Sequence, residues 1–309
     1  MRVTLRQMAV FDAVARLGGV SQAAREIALT QAAVSMALQE MERNLGVQLF
    51  HRHSKKLVLN DHGKRLQPKV RSALQSARDV ESVARDGGHE GTLTVGASTT
   101  VGTYLLPDIC ADFMLDHPGV EISLTVAKST EVIDMVDAMA LDLGFIESPS
   151  MRQTLRTSHW MRDELTVFCG ASHPLAARRR LNIRDLAGHA WCLQPSFADV
   201  RGVLTRAILN HLDFLRVTFE SGSIEAIKKA VVRGVGIGCQ SRASIVAEVE
   251  AGLLKPLDVS GLRLTRQINI VYRKDIQHGE LHAAFVQSAR DFAARRAGPL
   301  PPARRGQKQ

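Results

Sequence analysis

Residues 21–40 read SQAAREIALTQAAVSMALQE, and this stretch predicts two short helices joined by a tight turn. The second helix begins after Thr30, whose hydroxyl is suited to cap a free backbone N–H group at the helix start. Small and apolar residues at helical spacing, such as Ala33, Val34 and Leu38, form the face that packs against the first helix. The pair is therefore either part of an ordinary core or a helix-turn-helix unit that binds DNA.

The opposite face of the second helix carries short or amide side chains, namely Gln31, Ala32, Ser35, Met36 and Gln39. Such side chains can approach base edges in the major groove without a fixed charge. We therefore predict that this face, together with Thr30, contacts DNA. Recognition helices follow no strict code, so the stretch alone leaves both interpretations open.

The flanking residues complete a compact unit. LRQMAVFDAVARL, at residues 5–17, predicts an amphipathic helix that ends at the pair Gly18 and Gly19. After Gly46, the short strand-like runs VQLF and KLVL surround a basic tip, HRHSKK, at residues 51–56. A wing of this kind presents its tip to phosphates. Residues 1–60 therefore predict a winged helix-turn-helix DNA-binding domain.

The net charge of +9 is unevenly placed along the chain. Residues 1–60 carry +4, residues 61–90 carry +1, residues 91–294 carry −1 and residues 295–309 carry +5. A basic head on a neutral body favours a polyanion as the partner of the head and another task for the body. The Pro-rich end, residues 295–309, has no apolar pattern and is expected to be a disordered basic tail.

A long linker helix is predicted over residues 61–88. Its apolar residues alternate spacings of four and three, which is a heptad seam formed by Leu66, Val70, Ala73, Ala77, Val80 and Ala84. The seam fits either packing on its own domain or dimerisation with a second copy. We favour the dimer, because the segment links two domains and has few other surfaces to cover.

From residue 91 strands and helices alternate, which predicts an α/β domain with a largely parallel sheet. The pattern divides residues 91–294 into lobe I, about 91–162 and 265–294, and lobe II, about 163–264. Two lobes between which the chain crosses twice enclose a cleft. Ligands in such sheets bind at the carboxyl ends of strands, often at helix N-termini.

Hydroxyl side chains follow the predicted strands at this cleft. Ser98, Thr99 and Thr100 end the first strand, Ser129 follows the second, and Ser196 occupies a similar place in lobe II. Hydroxyls and free backbone N–H groups suit a carboxylate or an oxyanion. Each residue is equally suited to cap its helix, so both roles stay open. Glu147, after the strand LDLGFI, is expected either to orient a ligand or to lie exposed.

Several enzyme and cofactor signatures are excluded. GASTT at residues 96–100 lacks the final glycine of a hydrolase nucleophile elbow and has no convincing Asp/His partners. GVGIG at residues 234–238 follows a helix and reads as a strand, the wrong order for a dinucleotide-binding loop. The 4 cysteines lie far apart and form no C-x-x-C pair, so we expect reduced, mostly buried thiols. The expectation is a protein that is not an enzyme and holds no metal or cofactor.

Membrane and export signals are also missing from the sequence pattern. No run approaches the ~18 apolar residues of a membrane span. The first residues, MRVTLRQMAVFDAV, read as an amphipathic helix with internal charges and not as a signal peptide. We therefore expect a cytoplasmic protein without a membrane partner.

Together these segments resemble the LysR-type transcriptional regulators. LRQMAVF (residues 5–11), SQAA (21–24), TQAAVSMAL (30–38) and LGVQLFHR (45–52) resemble their DNA-binding domain, and GASTT (96–100), YLLP (104–107) and DLGFIE (142–147) resemble their body. The resemblance covers about residues 3–292. STTVGTYLLP and DLGFIESP are most similar to the YeiE-like subgroup, which the resemblance links to sulfur metabolism and sulfite.

The resemblance implies a winged helix-turn-helix, a dimerising linker helix and a two-lobed α/β domain like type 2 periplasmic binding proteins. It implies a homodimer or homotetramer that binds an imperfect palindrome in double-stranded DNA and controls a promoter, with RNA polymerase as a further partner, when a small effector fills the cleft. By position it assigns phosphate contacts to Arg52, Lys55 and Lys56. It assigns effector contacts to Ser98, Thr100, Ser129 and Ser196, for an effector that we expect to be a carboxylate or a sulfur oxyanion.

Two departures from the family pattern affect these expectations. Asn60 stands where the family commonly has Thr after the wing, although asparagine can still cap a helix. The loop SFADVR, residues 196–201, replaces a Gly-Ser-Gly-Thr-Arg-like loop and leaves Ser196 open as a ligand contact. The bulky Phe197 in this loop motivates an alternative function, a DNA-bound repressor whose effector cleft is closed or vestigial.

Overall fold

The computed structural model describes residues 3–53, 56–83, 91–196, 198–208, 211 and 214–296 of the chain. Its helices are α1 Leu5–Leu17, α2 Val20–Glu26, α3 Gln31–Leu45, α4 Asp61–Val83, α5 Thr99–Tyr104, α6 Leu106–Asp116, α7 Ser129–Asp137, α8 Asp199–Ile208, α9 Ile224–Val232, α10 Val246–Glu250 and α11 Glu280–Arg296. Its strands are β1 Phe50–His53, β2 Lys56–Leu59, β3 Gly91–Ala97, β4 Val120–Val126, β5 Leu143–Ile146, β6 Leu155–Gly170, β7 Leu181–Asn182, β8 Trp191–Leu193, β9 Val217–Glu220, β10 Ile237–Ser241, β11 Leu254–Pro256, β12 Val259–Ser260 and β13 Leu264–Arg273.

The first domain consists of α1, α2 and α3 followed by the antiparallel hairpin β1–β2. Thr4 and Gln7 form a reciprocal capping box at the start of α1, and Gly18 ends that helix in the left-handed region at φ 69°. Phe11, Val34 and Met41 are almost completely buried at the centre of this domain. These contacts stabilise the helix pair that the sequence predicts at residues 21–40.

Helix α4 begins at the wing and packs first on its own domain. Asn60 caps it, because the Asn60 Oδ1 atom accepts a hydrogen bond from the Gly63 N–H group at 2.9 Å. Leu66, Val70 and Leu74 then contact the core of the DNA-binding domain. Val80 is 72% exposed, so the seam divides into a covered N-terminal part and a free later part. Ala84 lies outside the described residues.

The second domain has a sheet of nine strands in the order β4-β3-β5-β13-β6-β10-β8-β9, with β11 paired to β6. Strands β3, β4 and β5 are parallel neighbours in lobe I, and β8, β9 and β10 are parallel neighbours in lobe II. The long antiparallel strands β6 and β13 join the two lobes. The carboxyl ends of both parallel sets therefore face the cleft between the lobes.

Each lobe has its own hydrophobic core. The core of lobe I includes Phe145, Trp160 and Phe285 from β5, β6 and α11, and the Trp160 Nε1 atom donates a hydrogen bond to the Ala289 carbonyl at 2.7 Å. The core of lobe II includes Trp191 and Leu204 from β8 and α8. Two separate cores allow the lobes to change their separation without opening either interior.

The glycine-rich stretch GVGIG and the end of the last helix were both predicted from the sequence, and the structure agrees with the first prediction only. GVGIG forms the turn from α9 into β10, where Gly234 has φ +82° and a Cβ atom on Gly236 would lie 2.3 Å from the Ala190 carbonyl oxygen. The predicted tail begins two residues too early, because α11 includes Arg295 and Arg296. Basic residues in the last turn stabilise a helix through its dipole. Residues 297–309 of that predicted tail lie outside the described residues.

Candidate functional site

The first candidate site is the solvent face of α3. Thr30 caps this helix, and its Oγ1 atom accepts a hydrogen bond from the Ala33 N–H group at 3.2 Å. Gln31, Ala32 and Gln39 are exposed, Ser35 is half-buried, and Met36 is 70% exposed. Val34, Leu38 and Met41 hold the opposite side in the core. The predicted base-reading residues therefore share one accessible helix face with no charged side chain among them.

The wing lies beside this helix in the chain. Arg52 belongs to β1 and Lys56 to β2, and the two strands pair with Arg52 opposite Leu57. Lys55 lies outside the described residues, and so do the side chains of Arg52 and Lys56. Their predicted phosphate contacts therefore stay predictions.

The second candidate site is the cleft, where polar residues follow three neighbouring strands of lobe I. Ser98 and Thr100 follow β3, Ser129 follows β4, and Glu147 follows β5. The Ser98 Oγ atom donates a hydrogen bond to Glu147 Oε1 at 3.0 Å. The Glu147 N–H group donates to Ser129 Oγ at 3.3 Å. The structure thus brings these predicted residues together, with Ser98 and Ser129 hydrogen-bonded to Glu147.

A buried arginine joins this group from β13. Arg266 lies 2.7 Å from Glu147 Oε2 through Nη1 and 2.8 Å from Asp163 Oδ2 through Nε. Its Nη2 atom donates a hydrogen bond to Thr100 Oγ1 at 3.0 Å. The side chains of Arg266, Asp163 and Glu147 are only 4%, 5% and 9% exposed. Thr100 therefore serves as an acceptor for a buried guanidinium group and Ser98 as a donor to a carboxylate.

Arg266 and Asp163 occupy directly opposed positions on β13 and β6. The second oxygen of Asp163 accepts a hydrogen bond from Ser241 Oγ, at the end of β10, at 2.6 Å. The Asp163 charge is thus held by one cation and one hydroxyl. The Arg266 Nη1 atom, in contrast, makes no well-aligned hydrogen bond in the described structure, although Glu147 is close. This N–H group can donate to a ligand.

The Glu147 carboxyl has a strongly perturbed acidity. Burial raises its pKa from the ordinary 4.5 to about 7, Arg266 opposes that change, and Asp199 adds to it. A buried carboxyl beside a second carboxylate keeps a proton to higher pH than a free one. Glu147 therefore exchanges a proton near neutrality.

Contacts between the lobes lie at both ends of the cleft. Ser148 of lobe I donates a hydrogen bond to Asp199 Oδ1, at the start of α8 in lobe II, at 3.1 Å. At the other end, the Tyr104 hydroxyl on α5 donates to Glu225 Oε1 on α9 at 2.6 Å. Lys228 completes this end, 5.2 Å from the centre of the Tyr104 ring. The structure therefore has the lobes closed upon each other.

The remaining predicted cleft residues lie at its margin. Thr99 is exposed, and so is Ser196, in the loop before α8. The helix-cap role is wrong for Ser98, whose side chain makes no cap hydrogen bond and contacts Glu147 instead. The exposed alternative for Glu147 is also wrong, because its side chain is 9% exposed. Phe197 lies outside the described residues.

The sequence pattern did not lead to a prediction for Arg266, Asp163 and Asp199. A signal for the first two was present in the strand alternation. Arg266 falls in phase with the buried residues Leu264 and Ile268, and Asp163 falls in phase with Leu165. A charged residue on the buried side of a strand requires a partner. No comparable pattern marks Asp199, which reaches the site through tertiary packing.

Among the described residues, no cluster of three or more His, Cys, Asp or Glu side chains is arranged to hold a metal ion. The helices of the described ranges include none that combines the length and apolarity needed to cross a membrane. All 4 cysteines are buried and free.

Sequence families match both parts of the chain. Residues 5–64 match the bacterial regulatory helix-turn-helix protein, lysR family, and residues 86–294 match the LysR substrate binding domain. The HTH-type transcriptional regulator YeiE of Escherichia coli (strain K12) is 38% identical over 268 residues, which cover 87% of this chain and 90% of that protein.

Solved structures share the fold. A full-length OxyR variant from Pseudomonas aeruginosa superposes with a TM-score of 0.72 at 21% identity and covers 94% of this chain and 95% of its own. The CcmR regulatory domain of Synechocystis PCC6803, in complex with 2-PG, has a TM-score of 0.59 at 24% identity and covers 66% of this chain and 98% of its own. These likenesses confirm a helix-turn-helix domain joined to a two-lobed α/β domain.

The relatives are transcriptional regulators and not enzymes, which agrees with the absence of a nucleophile and base set in the sequence. Because both family matches and the YeiE relative indicate the same family, the chain belongs to the LysR family of DNA-binding transcriptional regulators.

Proposed function

We propose that this regulator binds a small anion in the cleft between its lobes and that occupancy of the cleft changes its control of a promoter. The observation that carries the proposal is the buried Arg266 guanidinium at the carboxyl ends of the lobe I strands, with one N–H group not aligned to any acceptor in the described structure. A buried guanidinium group whose present acceptor is poorly aligned suits an oxyanion or a carboxylate.

The hydroxyl groups around Arg266 support the same ligand class. Ser98, Thr100 and Ser129 lie at the start of two helices, close to Glu147 and Arg266. Hydroxyls can switch from accepting to donating when a ligand replaces one of their present partners. The CcmR regulatory domain, which shares the fold, is described in complex with the ligand 2-PG. A sulfur oxyanion or a carboxylate fits the polarity of this group of residues.

The second part of the proposed function is recognition of a DNA sequence by α3 and the wing. The exposed face of α3 would contact base edges, with Gln31 and Gln39 supplying amides and the wing supplying cations. Two copies would bind the two halves of an imperfect palindrome, and RNA polymerase would be the partner at the promoter. A regulator with this task works beside the chromosome, in the cytoplasm.

An alternative function is a DNA-bound repressor whose cleft stays closed. The contacts Ser148–Asp199 and Tyr104–Glu225 favour it, since they hold the lobes together without a ligand. Thermal unfolding of the full chain separates the two functions, with sulfite, thiosulfate, sulfate and acetate as probes. A ligand at 100 times its Kd adds ~2.7 kcal/mol to the free energy of unfolding. No stabilisation by any probe in the range of its solubility would favour the closed cleft.

A matched pair of variants locates the binding site. Thr100 is buried against Arg266 and Thr99 next to it is exposed, so Thr→Val at each position makes the same chemical change in two environments. We expect Thr100→Val to lose the stabilisation by the anion while keeping DNA binding, and Thr99→Val to behave as the wild type. A normal anion response in Thr100→Val would contradict this site.

A further inference from the structure

A second concave surface lies on lobe I, where the middle of β6 faces the end of α11. This surface, the α11 groove, has a volume of about 340 Å³, which is at the lower end of the range for small-molecule sites. It is lined by His159, Trp160, Met161 and Arg162 of β6 and by Arg290, Ala293, Ala294 and Arg296 of α11. None of these residues takes part in the cleft described above, so the α11 groove is a separate surface.

The buried side of the α11 groove is apolar because β6 is irregular at this point. The register of β6 against β13 shifts between Ile268 and Asn269, whose partners are Met161 and His159, so Trp160 is an extra residue in the strand. A β-bulge of this kind changes the direction in which a side chain points. Trp160 and Met161 therefore both pack with the core of lobe I, although they are consecutive in the strand.

The apolar wall is preformed. Trp160 is only 6% exposed, its Nε1 atom donates a hydrogen bond to the Ala289 carbonyl at 2.7 Å, and its ring centre lies 4.7 Å from that of Phe145. On the other side of the groove, Ala293 and Ala294 have side chains that are too small to fill it. A small apolar molecule can therefore lie between β6 and α11 without a rearrangement of the core.

The rim of the α11 groove is cationic. Arg162, Arg290 and Arg296 belong to it, and within the described part of the chain its lining contains no Asp or Glu side chain. Glu164 and Asp291, which follow Arg162 and Arg290 closely in the chain, are bonded to other side chains. The guanidinium groups at the rim are therefore not neutralised by the acidic residues beside them.

The end of α11 accounts for only one of these cations. Arg296 lies in the last turn, where the helix dipole favours a positive charge, and its guanidinium lies 5.2 Å from the centre of the Phe292 ring. The dipole effect falls off within one turn, so it does not account for Arg290, and Arg162 lies on a strand. An anion bound between the guanidinium groups would reduce the repulsion among them.

We propose that the α11 groove is a second ligand site, which takes a small monocarboxylate with an apolar body, such as an aromatic or a branched aliphatic acid. The apolar body lies against Trp160 and Met161, and the carboxylate faces the arginines of the rim. A guanidinium group binds a carboxylate through two parallel hydrogen bonds, which favours this group over other anions of the same charge. The site does not depend on the function proposed for the cleft.

Calorimetric titration of the full chain with benzoate tests the site, with acetate and benzamide as matched probes. Acetate has the carboxylate without the apolar body, and benzamide has the ring without the charge. We expect benzoate to bind ~tenfold more tightly than either of them. Equal binding of benzoate and acetate, or of benzoate and benzamide, would overturn the proposal, and so would the absence of binding at ~10 mM benzoate.

Substitutions at exposed positions locate the bound benzoate. Arg162→Gln and Arg290→Gln should each weaken its binding ~three- to tenfold, whereas Arg156→Gln, on the same strand outside the groove, should have no effect. Ala294→Leu should fill the groove and weaken binding by at least ~tenfold, and Ala283→Leu, exposed on the same helix away from the groove, is its control. Unchanged affinity in Ala294→Leu, or in both arginine variants, would overturn the proposal.

The cleft is also proposed to take carboxylates, so the two sites are compared directly. Thr100→Val changes the cleft and leaves the α11 groove intact, and we expect it to bind benzoate in the groove as the wild type does. Benzoate binding that is lost in Thr100→Val and kept in Ala294→Leu would place the acid in the cleft and would overturn the second site.

Two other occupants of the groove are distinguished by the same measurements. Residues 297–309, which follow Arg296, contain 3 Lys or Arg and no Asp or Glu, so their charge does not complement the rim. A chain that ends at Arg296 should bind benzoate as the full chain does, and binding only after this truncation would overturn the proposal in favour of the tail. Sedimentation velocity should give the same oligomeric state for Arg162→Gln and the wild type. A change of that state would assign the groove to a contact between copies and would also overturn the proposal.

Discussion

Replacement of Arg266 by methionine removes the only cation in direct contact with Glu147 and Asp163 among the described ion pairs, at nearly constant side-chain length. Both carboxylates are more than nine-tenths buried, so water cannot replace the guanidinium without opening the cleft. Removal of one partner from a buried ion pair costs ~3–5 kcal/mol, because the remaining charge is left without compensation. We expect Arg266→Met to destabilise the effector domain by this amount at pH 8.

Tryptophan fluorescence during urea unfolding measures this effect in the intact chain. The chain contains 2 tryptophans, and Trp160 and Trp191 lie in the cores of lobe I and lobe II. The signal therefore reports the effector domain and not the DNA-binding domain. With a slope of ~2 kcal/mol per molar urea, the loss moves the unfolding midpoint down by ~1.5–2.5 M. Arg263→Met, at an exposed position just before β13, is the matched control.

Neutralising the two carboxylates should restore the stability that Arg266→Met loses. Asp163→Asn and Glu147→Gln, added to Arg266→Met, leave neutral side chains at the three positions, so that no buried charge is left without compensation. The triple variant should recover most of the lost free energy of unfolding. The reasoning is refuted if Arg266→Met unfolds within ~1 kcal/mol of the wild type, or if the triple variant is no more stable than the single one.

Two predictions concern the DNA-binding domain. A Cβ atom at Gly63 would lie 2.3 Å from the Leu49 carbonyl oxygen, so Gly63→Ala should destabilise this domain by ~1–3 kcal/mol and weaken DNA binding, measured by fluorescence anisotropy. Gly19→Ala, whose Cβ would meet only a flexible side chain, is the control, and equal DNA binding by both variants would contradict the steric argument. Gln31→Ala should relax base preference by ~1–3 kcal/mol in selection from random DNA, whereas an equal loss on all sequences would argue against base reading.

Most of the DNA-binding domain could be predicted from features that lie within a few residues of each other in the sequence. The predicted helix at residues 5–17 matches α1, because a capping residue, a periodic apolar stripe and a terminal glycine all lie within the segment. The exposed face of α3 followed from the same periodicity. Such features depend on neighbours within a few residues, which a single sequence contains in full.

The partners of α4 were harder to predict from its sequence. The spacing of Leu66 and Val70 is compatible both with a heptad seam and with packing on the first domain. In the structure they pack on the first domain. A repeat of apolar residues indicates that one face of the helix is buried, but it does not show which surface buries that face. Oligomers are a family property of these regulators, and the exposed Val80 leaves the later part of α4 free for that contact.

The residues of the cleft could be predicted only in part from the sequence. Hydroxyls and Glu147 were found because they follow strands directly, and parallel strands end at one edge of a sheet. Arg266 and Asp163 are 103 residues apart in the chain, and only the pairing of β6 with β13 makes them neighbours. Sheet register is a tertiary property, so the charge balance of the cleft could not be assigned from the linear order.

The position of the ion pair explains why this chain tolerates so much buried charge here. A well-packed apolar replacement of such a network is often equally stable or more stable, so stability alone gives little reason for Arg266 and Asp163. They lie opposite each other on the two strands that join the lobes, and their register fixes them there. Glu147 comes from lobe I, and the next residue, Ser148, contacts Asp199 of lobe II, so the surroundings of Glu147 change when the lobes move. A fixed charge between the lobes, paired with a carboxyl whose surroundings depend on the distance between them, links lobe closure to the ligand, which an apolar hinge would not do.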